Sequence, residues 1–282
     1  MSGFSPEWLA LREPADHRAR NESVRDAALA HLACKPSPRL VDLGCGSGSN
    51  LRALAPHLPD GQIWRLVDAD PLLLHAARAA LTLWADRAEP GQGGALDLWR
   101  EGKRIEVRFE EADLARDLDA VLDRPADLIT AAAFFDLVAP EWLTLFCSGL
   151  VARRLPLFTV LTYDGFERWT PPHGADAAIL AAFHAHQTSD KGFGQAAGPG
   201  AFALMERAFR DAGWRVTTGE SPWRLSAETQ APLIAALAQG AAGAVAETGL
   251  APPAEVASWR DARRVAQACE IGHRDLFAAP GD

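Results

Sequence analysis

Cysteine is scarce and carries no pattern. The four are Cys34, Cys45, Cys147 and Cys269. None forms a CxxC pair, and none stands at zinc-ligand spacing from a histidine. A chain this long does not need disulfides for stability, no metal site is expected, and the four read as free thiols in a reducing compartment. Also lacking is any run of roughly 18 uninterrupted apolar residues, so no membrane span is expected. The opening residues, Met1-Ser-Gly-Phe-Ser-Pro-Glu7, have no charged stretch leading into an apolar run, so no secretory signal is read and the expected location is cytoplasmic. Basic runs are missing as well. The densest basic cluster, Arg12, Arg18, Arg20 and Arg25, is interleaved with Glu13, Asp16, Glu22 and Asp26, and the net charge is -9. Phosphate contacts dominate nucleic-acid affinity, so this balance argues against a nucleic-acid partner.

What is present suits a packed core. Of 282 residues, 48% are hydrophobic. One domain over 1–282 is expected, with an N-terminal helical cap (about 1–36) and a helical insertion (about 226–270). Val24, Ala28, Leu29 and Leu32 make one apolar helix face behind an Asn21 cap. The period then changes. Short apolar strands are read at 39–43, 63–67, 105–109, 128–134 and 156–162. Helices between them run from Leu51 to Leu58, from Pro71 to about Ala88, and from Pro140 to about Val151. Gly91–Gly94 reads as a flexible loop. Strand–helix alternation of this kind implies a mostly parallel sheet wrapped by helices. After Tyr163 the rhythm breaks into a polar, glycine-rich stretch, Asp164–Gly200, holding a short helix near 175–186. Helix 201–212, strand 214–218, two Ala-rich helices near 227–248 and 253–269, and a last strand near 274–278 follow.

The informative motif is Asp42-Leu-Gly-Cys-Gly-Ser-Gly-Ser49, at the end of the first strand and the mouth of a helix. Glycines let the backbone turn sharply and approach a ligand closely. In open α/β sheets, ligands bind beyond the carboxyl ends of the strands. A dinucleotide fingerprint is GxGxxG. Here Gly44, Gly46 and Gly48 give GxGxG, and no GK[ST] follows to make a P-loop. The acid at the strand end, Asp42, would repel a pyrophosphate and suits an ammonium. S-adenosylmethionine carries an ammonium, a sulfonium and no phosphate. The plain alternative is a glycine turn that binds nothing.

Two further acids follow strands. Asp68 lies 20 residues past Gly48, the spacing at which a carboxylate accepts ribose hydroxyls. Asp70, just before Pro71, fits a helix N-cap better. Asp113, in Glu111-Ala-Asp-Leu114, suits either an adenine amine or another cap.

Three acids at three successive strand ends resemble the class I S-adenosylmethionine-dependent methyltransferases, over roughly Leu40 to Tyr163. The resemblance implies an α/β, Rossmann-like, seven-stranded, mostly parallel sheet with helices on both faces and helical insertions in the C-terminal half. It implies S-adenosyl-L-methionine as cofactor and S-adenosyl-L-homocysteine as product. Asp42, Gly44, Cys45, Gly46 and Gly48 would line the methionine moiety, Asp68 and Ala69 the ribose, and Asp113 and Leu114 the adenine, with Thr130 on the fourth strand beside them. The segment Thr130-Ala-Ala-Ala-Phe-Phe-Asp136 lacks the Asn/Asp-Pro-Pro-Tyr/Phe signature of members that methylate DNA adenine or protein glutamine, which lowers those substrates.

The acceptor region is expected in His184-Ala-His186-Gln-Thr-Ser-Asp190-Lys191-Gly-Phe193, because long irregular loops in compact domains are often lids. His186 or His184 would act as base with Asp190 orienting it; the alternative is a solvated loop. Two residues apart on a helix, the histidines face different ways. Phe134, Tyr163, Lys191 and Phe193 are the candidate substrate contacts. The Arg12–Arg20 segment either folds over the cofactor and pairs with its carboxylate or is a salt-bridged surface helix. Gly272-His-Arg-Asp275 either covers the pocket or is structural. Trp142 and Trp214 read as core. Trp169 and Trp223 are expected in loops, where they would either wall an aromatic or cationic acceptor or join the core. The reading is methyl transfer to a small-molecule acceptor by a monomer or homodimer. An S-adenosylmethionine-binding regulator or inactive protein, and a nucleotide-dependent oxidoreductase, are the alternatives.

Overall fold

The computed structural model describes residues 4–281. The chain opens with helices α1 (Pro6–Ala19) and α2 (Glu22–Leu32), the second capped by the Asn21 side chain, which accepts from the Val24 amide. Strand β1 (Arg39–Leu43), helix α3 (Ser49–Leu54), strand β2 (Gln62–Asp68) and helix α4 (Pro71–Trp84) follow. A hairpin, β3 (Arg87–Pro90) and β4 (Leu96–Arg100), leads into β5 (Lys103–Glu111). Then come α5 (Leu118–Leu122), β6 (Leu128–Ala132), α6 (Pro140–Arg153), β7 (Leu157–Thr170) and α7 (Asp176–Gln187). The remainder is α8 (Ala201–Asp211), β8 (Arg215–Glu220), β9 (Trp223–Ser226), α9 (Ala227–Thr248), α10 (Pro253–Arg263) and β10 (Ala268–Ala279).

Among the described residues ten strands form one sheet in the order β3-β4-β5-β2-β1-β6-β7-β10-β8, with β9 also on β10. Seven of them, β5-β2-β1-β6-β7-β10-β8, make the expected frame. Its pairings from β5 to β7 are parallel, and β10 runs antiparallel to both β7 and β8. The apolar runs of β1 and β6 are buried on both faces, as parallel strands require. In β1, Leu40 joins the core under α2, α3, α4 and α9, while Val41 and Leu43 join the core under α5, α6 and α8. Successive side chains point to opposite faces, so one short strand serves both layers.

The β3–β4 hairpin extends the sheet beyond the expected seven strands. It replaces the end of the helix expected to reach Ala88, and Gly91–Gly94 is its turn. The Arg87 guanidinium lies 3.6 Å from the centre of the Trp99 ring across that ladder, a pairing that sequence alone does not announce. Strand β7 runs eight residues past its expected end at Thr162, because β10 pairs with it from Ala268 onward. The same pairing takes 268–269 out of the expected last helix, which ends at Arg263. Trp169 and Trp223 are therefore buried strand residues and not loop residues.

Within β7, Leu161 has φ +60°, a left-handed conformation costly for a branched side chain. Asp275 of β10 holds it: the carboxylate accepts from the Leu161 amide (2.8 Å), the Asn21 amide (2.8 Å) and the Ser221 hydroxyl (2.5 Å). The Gly272–Asp275 segment is thus part of a strand that staples α2 to the sheet.

Candidate functional site

A cavity of about 820 Å³ opens at the carboxyl ends of β1, β2, β5 and β6. Its floor is the glycine loop. Gly44, Gly46 and Gly48 all have positive φ (59°, 53° and 75°), which non-glycine residues seldom adopt. A Cβ at Gly44 would fall 2.6 Å from the Phe134 ring, so this glycine makes room for that ring. Gly48 instead packs beneath the loop, facing Ala77, Leu66 and Leu81.

Helix α1 forms the roof. Leu9, Arg12 and Asp16 line the cavity from it, and Arg20 from the turn just past its end. Arg12 grips Asp16 through two nitrogens (2.9 and 3.2 Å), yet the Arg12–Arg20 segment also covers the cavity. The helix is fastened to α3 by Glu13, which accepts from the Arg52 guanidinium (2.8 and 2.5 Å).

One end of the cavity is strongly polar. Asp42 is fully buried at the tip of β1. Its Oδ1 accepts from the Asn50 amide (2.6 Å), while its Oδ2 has no partner. Burial pushes this carboxyl up to about 7. Arg20 donates one bond, to Asn50 Oδ1 (2.7 Å), and its buried Nε and Nη2 have no partner. The Ser47 hydroxyl, also buried in the lining, is likewise unpartnered. Buried polar atoms are ordinarily bonded, so four orphaned atoms on three lining residues mark a place where a ligand would bond. Besides the Ser47 hydroxyl, the unmet groups are one carboxyl and one guanidinium. They complement the ammonium and carboxylate of an amino acid.

Farther along, Asp68 accepts from the Gly46 amide (2.8 Å) and the Asp70 amide (3.0 Å), fixing the loop against β2. Burial raises its pKa. Asp70 caps α4 through the Leu72 amide (2.8 Å). Asp113 accepts from the Ala115 amide and from Arg116, and the Arg116 bond lowers its pKa most. It caps its own turn while lining the cavity beside Leu114, whose carbonyl receives the Trp142 indole N–H (2.9 Å). Cys45 and Ala69 line the cavity too. Thr130 sits behind it, accepting from Asn50 (3.0 Å).

One wall is apolar: Phe134, Leu137 and Phe193. The Phe134, Trp142 and Phe193 rings meet edge to face at 5.3–5.9 Å. Asp190 accepts from the amides of Gly192 and Gly194 (2.7 and 3.0 Å), shaping the turn that presents Phe193.

The expected His–Asp190 pairing does not form. His184 bonds the Tyr163 hydroxyl (3.1 Å), and His186 bonds Glu247 (3.1 Å). Lys191 donates to Ser189. None of His184, His186, Asp190, Lys191 or Tyr163 lines the cavity. The reason is the length of β7: Tyr163 falls within the strand, and α7 brings His184 to Tyr163 and His186 to Glu247 of α9 instead. Asn50, which links Asp42 to Arg20, is absent from the residues the sequence singles out. Its signal was a polar residue on the buried side of α3, two positions past Gly48. Asp136 also stands out, with Oδ1 buried and unpartnered and burial raising its carboxyl to about 6.

No family model and no curated protein matches the chain. Solved structures do. A cyclopropane-fatty-acyl-phospholipid synthase-like protein from Lactobacillus casei aligns over 98% of this chain and 94% of its own, at 16% identity and TM-score 0.51. A cyclopropane synthase from Mycobacterium tuberculosis aligns over the same shares at 14% identity and TM-score 0.50. An S-adenosylmethionine-dependent methyltransferase from Thiobacillus denitrificans, solved with S-adenosyl-L-homocysteine, aligns over 98% and 99% at 14% identity and TM-score 0.46. The chain has the Rossmann-like fold of the class I S-adenosylmethionine-dependent methyltransferases.

Proposed function

We propose that this chain binds S-adenosylmethionine and transfers its methyl group to a small, largely apolar acceptor. The observation that carries the reading is the complementary pair of orphans, Asp42 Oδ2 and Arg20 Nε/Nη2, at one end of a cavity floored by three positive-φ glycines. Asp42 would hold the ammonium and Arg20 the carboxylate of the cofactor's amino acid. A nicotinamide dinucleotide has no such zwitterion, and its pyrophosphate would meet the Asp42 carboxylate.

Gly44, Cys45 and Gly46 would pass along the methionine moiety, with Gly48 setting the turn and Thr130 fixing Asn50. Asp68 and Ala69 would take the ribose, and Asp113 and Leu114 the adenine. The cofactor supplies an electrophilic methyl on a sulfonium sulfur. The chain's own contribution is alignment and exclusion of water, by α1 above and by the Phe134–Phe193 wall beside it. Phe134 and Phe193 are the proposed acceptor contacts. Tyr163, Lys191, His184, His186 and Asp190 receive no direct role, because they stand off the lining. The roofed cavity favours a small molecule over a macromolecule as acceptor, and among the described residues no helix is long and apolar enough to cross a membrane.

The test is transfer of a labelled methyl group from S-adenosylmethionine to a panel of small aromatic and aliphatic acceptors. Label in an acceptor that is lost in Arg20→Met supports the reading. Cofactor binding without label transfer to any acceptor would instead favour a binding protein.

A further inference from the structure

A second cavity, of about 310 Å³, shares no lining residue with the first. Its walls come from the extension of β7, from α7, from α9 and from α10. Glu167 and Trp169 stand two apart on β7 and so share a strand face. Phe183 and Ile179 face them from α7, and Trp259 closes the end from α10. The Trp169 and Trp259 rings meet edge to face at 5.6 Å.

The charges around this cavity are paired with one exception. Arg168 bonds Glu270. Arg263 grips Asp176 (3.0 and 3.1 Å), which also accepts the Trp259 indole N–H (2.8 Å). Glu167 is the exception. It accepts from the Tyr163 hydroxyl (3.1 Å) and the Trp169 indole N–H (3.4 Å), but among the described residues no Lys or Arg reaches it at ion-pair distance. A carboxylate held by two neutral donors in an aromatic chamber retains lone pairs; the Arg263 guanidinium, 5.9 Å from the centre of the Trp169 ring, is committed to Asp176. Aromatic faces attract cations, most strongly where water is excluded.

We propose that this cavity is a second ligand site, specific for a small organic ammonium: a protonated or methylated amine on an apolar body, its charge on Glu167 and its body against Trp169, Trp259 and Phe183. The site is independent of the methyl-transfer reading. Burial raises the Glu167 carboxyl to about 7, and the opposite charge of a bound ammonium favours its ionised form, which a neutral molecule of the same shape does not. A volume near the low end of the roughly 300–1,000 Å³ usual for ligand sites limits the occupant to one ring or a short branched chain.

The indole N–H groups of Trp169 and Trp259 report directly on the site, since each donates to one of its carboxylates. The full chain, labelled with nitrogen-15, is titrated with cyclohexylammonium and separately with cyclohexanol, the two indole signals being assigned by Trp169→Phe and Trp259→Phe. The expected result is a saturable shift of both signals by the ammonium at about millimolar concentration, with the alcohol at least tenfold weaker. Glu167→Gln, nearly isosteric, should abolish the preference while leaving the alcohol's response. Ala177→Trp, which fills the exposed rim of the cavity, should remove both responses with little change in thermal unfolding. Equal binding of the two probes, a preference that survives Glu167→Gln, or shifts that leave Trp169 and Trp259 unmoved would each overturn the proposal.

Discussion

Arg20 and Asp42 are joined through one amide. Asn50 takes a bond from the guanidinium at 2.7 Å and gives one to the carboxylate at 2.6 Å, so a cation and an anion are held near each other with bonding capacity left on both. Side chains that paired directly would satisfy each other. Separated by Asn50, they can each face a ligand, one meeting an ammonium and the other a carboxylate.

A pH dependence follows. Burial raises the Asp42 carboxyl to about 7, so the ligand-free protein holds a proton there at lower pH. An ammonium favours the ionised form. Affinity for S-adenosylhomocysteine should therefore climb as pH rises from 6 to 8, by about tenfold per unit at the steepest point, with proton release on binding below pH 7. The folding sign is opposite: a raised carboxyl favours the folded state at low pH, and that contribution is lost as pH rises from the ordinary carboxylate range to about 7. Calorimetry in buffers of different ionisation heat measures the released proton, and Asp42→Asn should release none from this site.

Gly44→Ala should be costly in two ways. Its φ of +59° is unfavourable for alanine, and the new methyl would lie 2.6 Å from the Phe134 ring. A loss of about 1–3 kcal/mol in denaturant unfolding is expected. Cofactor affinity should fall as well, since Phe134 must shift within the cavity. An unchanged midpoint with unchanged affinity would show that the loop is not under the constraint described.

Asp275→Ala removes one acceptor from three donors, the Leu161 and Asn21 amides and the Ser221 hydroxyl. Unmet buried donors cost about 1–3 kcal/mol each, less whatever relaxation or water recovers. Urea unfolding should show a loss of more than 2 kcal/mol, and hydrogen exchange should speed at Leu161 before it does at β1. A Ser221→Ala variant, which removes one donor and leaves the other two, should cost less.

The parallel half of the molecule could be read in the sequence because each signal there is local. β1 is a run of apolar residues closed by glycines; Asp70 announces a cap by preceding Pro71; Asp42 and Asp68 are strand-end acids. The C-terminal half could not be read in the same way. The extension of β7 past Thr162 is polar and aromatic, and it is a strand because β10, about a hundred residues later, pairs with it. The same distance problem hid the partners of His184 and His186. A polar loop was expected to bring them to the reaction, and the ladder instead carried His184 to Tyr163. Arg20 lay inside an expected cofactor-covering segment, but only the fold distinguishes it from Arg12, whose guanidinium is already taken by Asp16.

The most direct test compares S-adenosylhomocysteine with 5′-methylthioadenosine, which keeps the adenosine and the sulfur but has no amino acid. Both are titrated into the wild type, Arg20→Met, Asp42→Asn and Asp68→Asn, with NADH as a further ligand. The account predicts that Arg20→Met and Asp42→Asn each weaken S-adenosylhomocysteine at least tenfold and leave methylthioadenosine within a factor of about three, while Asp68→Asn weakens both. Failure of the wild type to bind either thioether while binding NADH, or equal losses of both ligands in the Arg20 and Asp42 variants, would contradict it.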